Sequence, residues 1–126
     1  MLTTVVVSED APPGRVQQLS KAVSVWKAPT RQGKLDLVWL LEKLGAEEVT
    51  SLLVEGGGEA NASFLSQKLA QRVAFFYAPK VIGGLAARKA VAGDGANNLD
   101  EAIRLYDVEW RRYGPDLFMT ARIRPE

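Results

Sequence analysis

The chain has no cysteine and no histidine. Without cysteine there are no disulfides, no iron–sulfur clusters and no thiol nucleophile, which fits a cytoplasmic protein. Without histidine the commonest zinc ligand, the commonest general base and every Ser-His-Asp arrangement are gone. An excess of charge is missing too: 16 basic against 15 acidic side chains leave a net +1. That balance gives no reason to expect nucleic acid or an anionic membrane as partner. No apolar run is long enough to span a bilayer. The opening "MLTTVVVSEDAPPG" has neither a basic start nor a small-residue cleavage site, so no signal peptide is expected. Carboxylates, lysines, tyrosines, hydroxyls and backbone dipoles remain. They suit binding, or chemistry in which a cofactor carries the hard step.

The 126 residues suit one domain spanning 1–126, and 47% hydrophobic with 25% charged residues is ordinary for a globular chain. Residues 3–8, "TTVVVS", form a β-branched run and predict a buried strand. A turn over 9–14, a short helix over 15–22 and a second strand over 23–26 follow, then a loop over 28–34. Asp36 is placed to cap the next helix. Leu37, Leu40, Leu41 and Leu44 fall at i, i+3, i+4 and i+7, one apolar stripe, with Gly45 as the expected stop. Trp39 lies opposite that stripe and needs a partner surface or is simply exposed.

Residues 51–55, "SLLVE", read as a continuous apolar strand covered on both faces. A glycine turn leads into a helix over about 59–70. A long strand is expected over 72–84, with a bulge or an end at Pro79. Residues 85–98 read as a loop and 99–105 as at best a turn of helix. The tail predicts a hairpin turning at "YGPD", with Leu117, Met119, Ala121 and Ile123 on one face. The order β-α-β-α-β-α-β plus hairpin predicts an α/β, three-layer fold: a mostly parallel sheet with a C-terminal antiparallel hairpin.

The chemistry concentrates in "LLVEGGGEANASF". A strand, glycines and a helix N-terminus together can hold a phosphate. The first helical N–H groups lack intrahelical partners, and glycine puts no Cβ in the way. Yet "GGGEAN" is neither a dinucleotide fingerprint nor a P-loop. On pattern alone, a phosphate site and a plain tight turn both stay open. Asn61 and Ser63 either donate to a phosphate or solvate the first turn. Glu55 ends its strand at the carboxyl edge, where α/β sheets place ligands. It either accepts hydrogen bonds from a ligand, caps the helix or pairs with a lysine such as Lys80.

"SLLVEGGGEANASFL" followed by "RVAFFYAPKVIGG" resembles the reductase domain of the bacterial riboflavin-biosynthesis deaminase/reductase. The V-E-G-G strand end and the downstream A-P-K-x-x-G-G carry the likeness. "TTVVVSEDAP", "KLDLVWLLEKLG" and "DVEWRRYGPDLFMTARI" fit it in the same order. The resemblance implies a dihydrofolate-reductase-like fold. It implies NADPH as hydride donor and a pyrimidine ribotide as substrate, 5-amino-6-ribosylamino-pyrimidinedione 5′-phosphate, whose ribosyl group is reduced to ribityl. It implies that Glu55 binds substrate and that Gly57, Gly58, Glu59, Ala60, Asn61, Ala62 and Ser63 bind the cofactor. It assigns no catalytic side chain.

The likeness covers the C-terminal portion of that domain. The family's earlier strand with its lysine and S-x-D-G-like segment has no counterpart, nor has its zinc deaminase domain. In the family's sheet that strand lies between those matching 51–55 and 72–78. Those two must therefore pair directly, take a strand from another subunit or leave backbone unpaired. A homodimer, or a sheet closed differently, is expected; Trp39 and "AFFYA" (74–78) are candidate interface. The alternative function is a non-catalytic nucleotide-binding or assembly module of the same fold.

Overall fold

The computed structural model describes residues 2–123. They divide into two compact units, the first ending at Leu52 and the second beginning at Leu53.

The first unit is built on a βαβ crossover. β1 (Thr4–Ser8) pairs in parallel with β2 (Ser24–Ala28), in register from Thr4–Ser24 to Ser8–Ala28. Parallel neighbours need a connection over the sheet, and α1 (Pro13–Leu19) provides it. Pro13 starts that helix with its φ already set and no N–H to satisfy. The expected loop over 28–34 contains a small hairpin instead, β3 (Thr30–Arg31) and β4 (Lys34–Leu35). Gln32 and Gly33 both have positive φ, 52° and 74°, which matches the right-handed twist of a two-residue turn.

α2 (Leu37–Ala46) is capped as expected. Asp36 accepts from the N–H of Val38 at 3.0 Å and of Trp39 at 3.2 Å. The Trp39 N–H first, and Arg31 beside it at 3.0 Å, hold this carboxyl below its ordinary range. Trp39 is half-buried rather than exposed. The stop differs from expectation: the helix runs past Gly45, and the left-handed residue is Glu48, φ 62°. Val49 N–H donates to Leu44 O and Glu48 N–H to Gly45 O, a Schellman ending with glutamate in glycine's place. A β-carbon in that conformation is costly. Glu48→Gly is therefore expected to stabilise the chain by about 0.5–1 kcal/mol, net of the greater freedom of glycine when unfolded, read as a higher urea midpoint.

The second unit opens with an extended segment and α3 (Gly58–Ser66). Residues 51–55 form no strand ladder among the described residues, although their apolar run predicts one. α3 stops before the expected 70, because Lys68 turns left-handed at φ 57°. Leu69 N–H donates to Phe64 O and Lys68 N–H to Leu65 O, again without a glycine. β5 (Arg72–Tyr77) ends two residues before Pro79, as a ladder must where an N–H is lost.

After a long loop and one 3-10 turn (Leu99–Glu101), β6 (Leu105–Tyr113) and β7 (Asp116–Ile123) form the expected hairpin around Gly114. A bulge interrupts β6 between Tyr106 and Glu109, with Asp107 at φ 51°. β5 pairs antiparallel with β7, so the sheet order is β5-β7-β6. Helices and strands are mixed along the chain, compatible with an α/β reading, but they do not strictly alternate: β2, β3 and β4 follow one another, as do α2 and α3. Among the described residues, parallel pairing is confined to β1 and β2, and this three-stranded sheet is antiparallel. Met119 and Ala121 on β7 and Phe64 on α3 are buried. Phe76 stacks on Phe118 at 4.4 Å, yet 71% of its surface is exposed. The outer edge of β5 carries no partner strand among the described residues.

Candidate functional site

The glycine turn and the helix behind it lie in the second unit. Gly57 is the N-cap residue of α3, and no side chain caps this helix. Asp36 caps α2 and Asn98 caps the 3-10 turn. Here the N–H groups of Gly58, Glu59 and Ala60 are left without a side-chain acceptor. Such an end favours an anion through its free donors and its dipole.

The three glycines are not equivalent. A Cβ on Gly56 would meet the Ala60 methyl at 2.5 Å, so this glycine packs against the helix. A Cβ on Gly58 would collide with the Lys89 carbonyl oxygen and stand 3.1 Å from the Ala92 methyl, so this one admits a neighbouring loop. Gly57 has nothing within 4 Å of its Cβ position. Its φ of −69° and ψ of 175° suit any residue. Only Gly57 of the three leaves open space in front of the helix end, where an approaching phosphate needs it.

The side chains of the turn are engaged within the protein. Asn61 Nδ2 donates to Ala90 O at 2.9 Å. Ser63 Oγ donates to Glu59 O at 2.9 Å, one turn back. Glu59 Oε1 accepts from Gly93 N–H at 3.4 Å. Backbone N–H groups are thus the donors this turn keeps free, while Asn61 and Ser63 serve its own structure. Residues 89–93, which brace the turn, are absent from the expected site. Nothing in "KAVAG" announces a return to a helix some 30 positions earlier.

Glu55 precedes the turn, is exposed and makes no side-chain hydrogen bond or ion pair among the described residues. It neither caps α3 nor pairs with Lys80. Its carboxylate is therefore available to accept from a ligand's N–H or O–H groups. At the other end of α3, a cavity of about 650 Å³ is lined by Leu65, Lys68, Asp100, Ile103, Tyr106 and Ile123 among others. It contains neither Glu55 nor any residue from Gly57 to Ser63.

The uncapped helix end behind V-E-G-G sits in an order of elements that can be compared with known proteins. A family model described as the RibD C-terminal domain matches residues 1–119. The chain belongs to that family. The 2,5-diamino-6-ribosylamino-4(3H)-pyrimidinone 5′-phosphate reductase of Methanothermobacter thermautotrophicus is 38% identical over 122 residues, 97% of this chain and 56% of the relative. The riboflavin biosynthesis protein RibD of Actinobacillus pleuropneumoniae is 35% identical over 97 residues, 77% of this chain and 26% of the relative. The chain thus spans about half of the first relative and a quarter of the second.

Among solved structures, a pyrimidine reductase-like protein from Corynebacterium diphtheriae superposes with a TM-score of 0.76 at 19% identity, covering 98% of this chain and 50% of that one. RibD of Acinetobacter baumannii gives 0.69 at 19% identity, covering 96% and 37%. At such identities the likeness is one of fold: the dihydrofolate-reductase-like α/β fold of RibD reductase domains. No helix among the described residues is long and apolar enough to cross a membrane.

Proposed function

We propose that the chain is a partial reductase domain that uses NADPH to reduce the ribosylamino group of a pyrimidine ribotide to ribitylamino. The observation that carries this reading is the uncapped N-terminus of α3, with Gly57 facing open space two residues after Glu55, which has no side-chain partner among the described residues. Those residues fit a diphosphate. The free N–H groups of Gly58, Glu59 and Ala60 would hold it, within a cofactor-binding run from Gly57 to Ser63, and Glu55 would accept from the substrate. NADPH supplies the hydride, so the chain needs no histidine or thiol, only two ligands held in reacting geometry. The family membership and the reductases among its relatives support the same conclusion.

Two relatives that this chain spans by about half, from Methanothermobacter thermautotrophicus and Archaeoglobus fulgidus, are named for the 2,5-diamino pyrimidinone. We take that ribotide as substrate ahead of the pyrimidinedione, which puts reduction before deamination. The chain would act as a single domain in the cytoplasm, as a homodimer whose contact covers the open β5 edge.

The test is to mix the purified chain with NADPH and each ribotide in turn and to follow NADPH absorbance. Loss of absorbance is expected with the diamino compound and to be slower with the dione. NADPH binding without turnover on either would leave a non-catalytic nucleotide-binding module. That second reading draws on the segment 51–55, which forms no strand ladder among the described residues.

A further inference from the structure

We propose that Asn61 is a positioning residue, which sets cofactor affinity by clipping residues 89–93 onto the first turn of α3. The inference rests on the proposed cofactor site, gives Asn61 a different role within it, and brings in residues 89–93, which that reading does not include. Three bonds make the clip: Asn61 Nδ2 to Ala90 O at 2.9 Å, Ala92 N–H to Gly58 O at 3.0 Å, and Gly93 N–H to Glu59 Oε1 at 3.4 Å. Two close approaches seat it. Lys89 O lies over Gly58, and Gly93, at φ 73°, presents its Cα to Ala62 at a distance where a Cβ would stand 3.2 Å from the Ala62 methyl.

The small residues of "GGGEANA" therefore have two duties. Gly57 stays open to a ligand, while Gly58 and Ala62 admit the loop. Of the three bonds, Asn61 makes the one that is donated by a side chain, and it spans 29 positions of sequence. The main-chain carbonyl of Ala90 accepts from the Asn61 amide, and that of Lys89 lies against Gly58. While the Asn61 bond holds, Ala90 O is engaged and does not compete with an anion for the N–H groups of the helix end. Releasing the loop frees that oxygen to compete for the same donors.

The loop carries its own reporter, because Arg88 and Lys89 are exposed trypsin sites. Asn61→Ala is expected to speed tryptic cleavage after Arg88 and Lys89 and to raise the Kd for NADPH by about fivefold, the weight of one hydrogen bond. Asn61→Asp, which sets a carboxylate against the Ala90 carbonyl, is expected to do more on both counts. The urea midpoint of Asn61→Ala should fall by no more than the weight of that one bond. NADPH should slow the cleavage of the unaltered chain.

Unchanged cleavage in Asn61→Ala overturns the clip. Faster cleavage with an unchanged Kd overturns its role in cofactor binding. A flat NADPH titration of the unaltered chain removes the proposed cofactor site, and this inference with it. Only that last result appears before any substitution is made, so the two failures are distinguishable.

Discussion

Gly57→Asp is expected to abolish NADPH binding while leaving the urea midpoint almost where it was. The structural side rests on empty space: apart from its chain neighbours, no described atom lies within 4 Å of the Gly57 Cβ position, and its φ and ψ suit any residue. Aspartate is also at least as good an N-cap as glycine. The binding side rests on charge. The carboxylate would accept from the same N–H groups a diphosphate needs and would repel the anion besides. Since NADPH carries its own phosphate charges, we expect a rise in Kd of about a hundredfold or more, from a lost charge-assisted contact plus repulsion. Gly58→Ala is the contrasting variant, told apart by its loss of stability. Its methyl runs into Lys89 O, a backbone atom that cannot swing away. That chain should lose about 1–3 kcal/mol of stability, as overpacked sites do. Fluorescence titration together with urea unfolding separates the two variants. Equal NADPH binding by Gly57→Asp and the unaltered chain would remove the glycine turn from the site.

Glu55→Gln is expected to weaken the ribotide and nothing else. The side chain has no partner among the described residues, so its removal costs the fold nothing. A glutamine keeps the size but loses the charge that strengthens hydrogen bonds from a ligand. The expected result is a rise in KM for the ribotide of about ten- to a hundredfold, with the NADPH Kd and the urea midpoint unchanged. Calorimetric titration with the ribotide gives the same comparison without turnover. A ribotide affinity indifferent to this change would return Glu55 to the ordinary solvated surface.

Local chemistry was legible where one or two neighbours decide it. Asp36 before an apolar stripe predicts the cap that forms. "YGPD" predicts the turn between β6 and β7, and Pro79 predicts the end of β5. The helix ends were not legible, because Glu48 and Lys68 take the left-handed position that a reader assigns to glycine, and Gly45 sits inside the helix. "SLLVE" shows the limit from the other side. An apolar run reports that a segment favours burial, whereas a ladder also needs a neighbour that local pattern does not reveal. At the site, V-E-G-G and A-P-K-x-x-G-G were readable as a family signature. The division of labour among the three glycines was not. It depends on a loop some thirty residues downstream, whose return to α3 leaves no periodicity in the sequence.

The bare edge of β5 has a practical consequence. From Val73 to Ala78 the chain reads "VAFFYA", six residues without a charge or a proline, and one side of the β5 backbone within it is unpaired among the described residues. Natural edges are usually blunted by lysine, proline or a bulge; here proline arrives only at 79. A segment of that composition, released by heat, is a template for cross-chain stacking. Heated samples would then be drained by aggregation faster than they refold, and an apparent melting point would follow the scan rate rather than the free energy. Stability comparisons between variants of this chain therefore belong in urea, at low concentration, where exposed strands are kept apart.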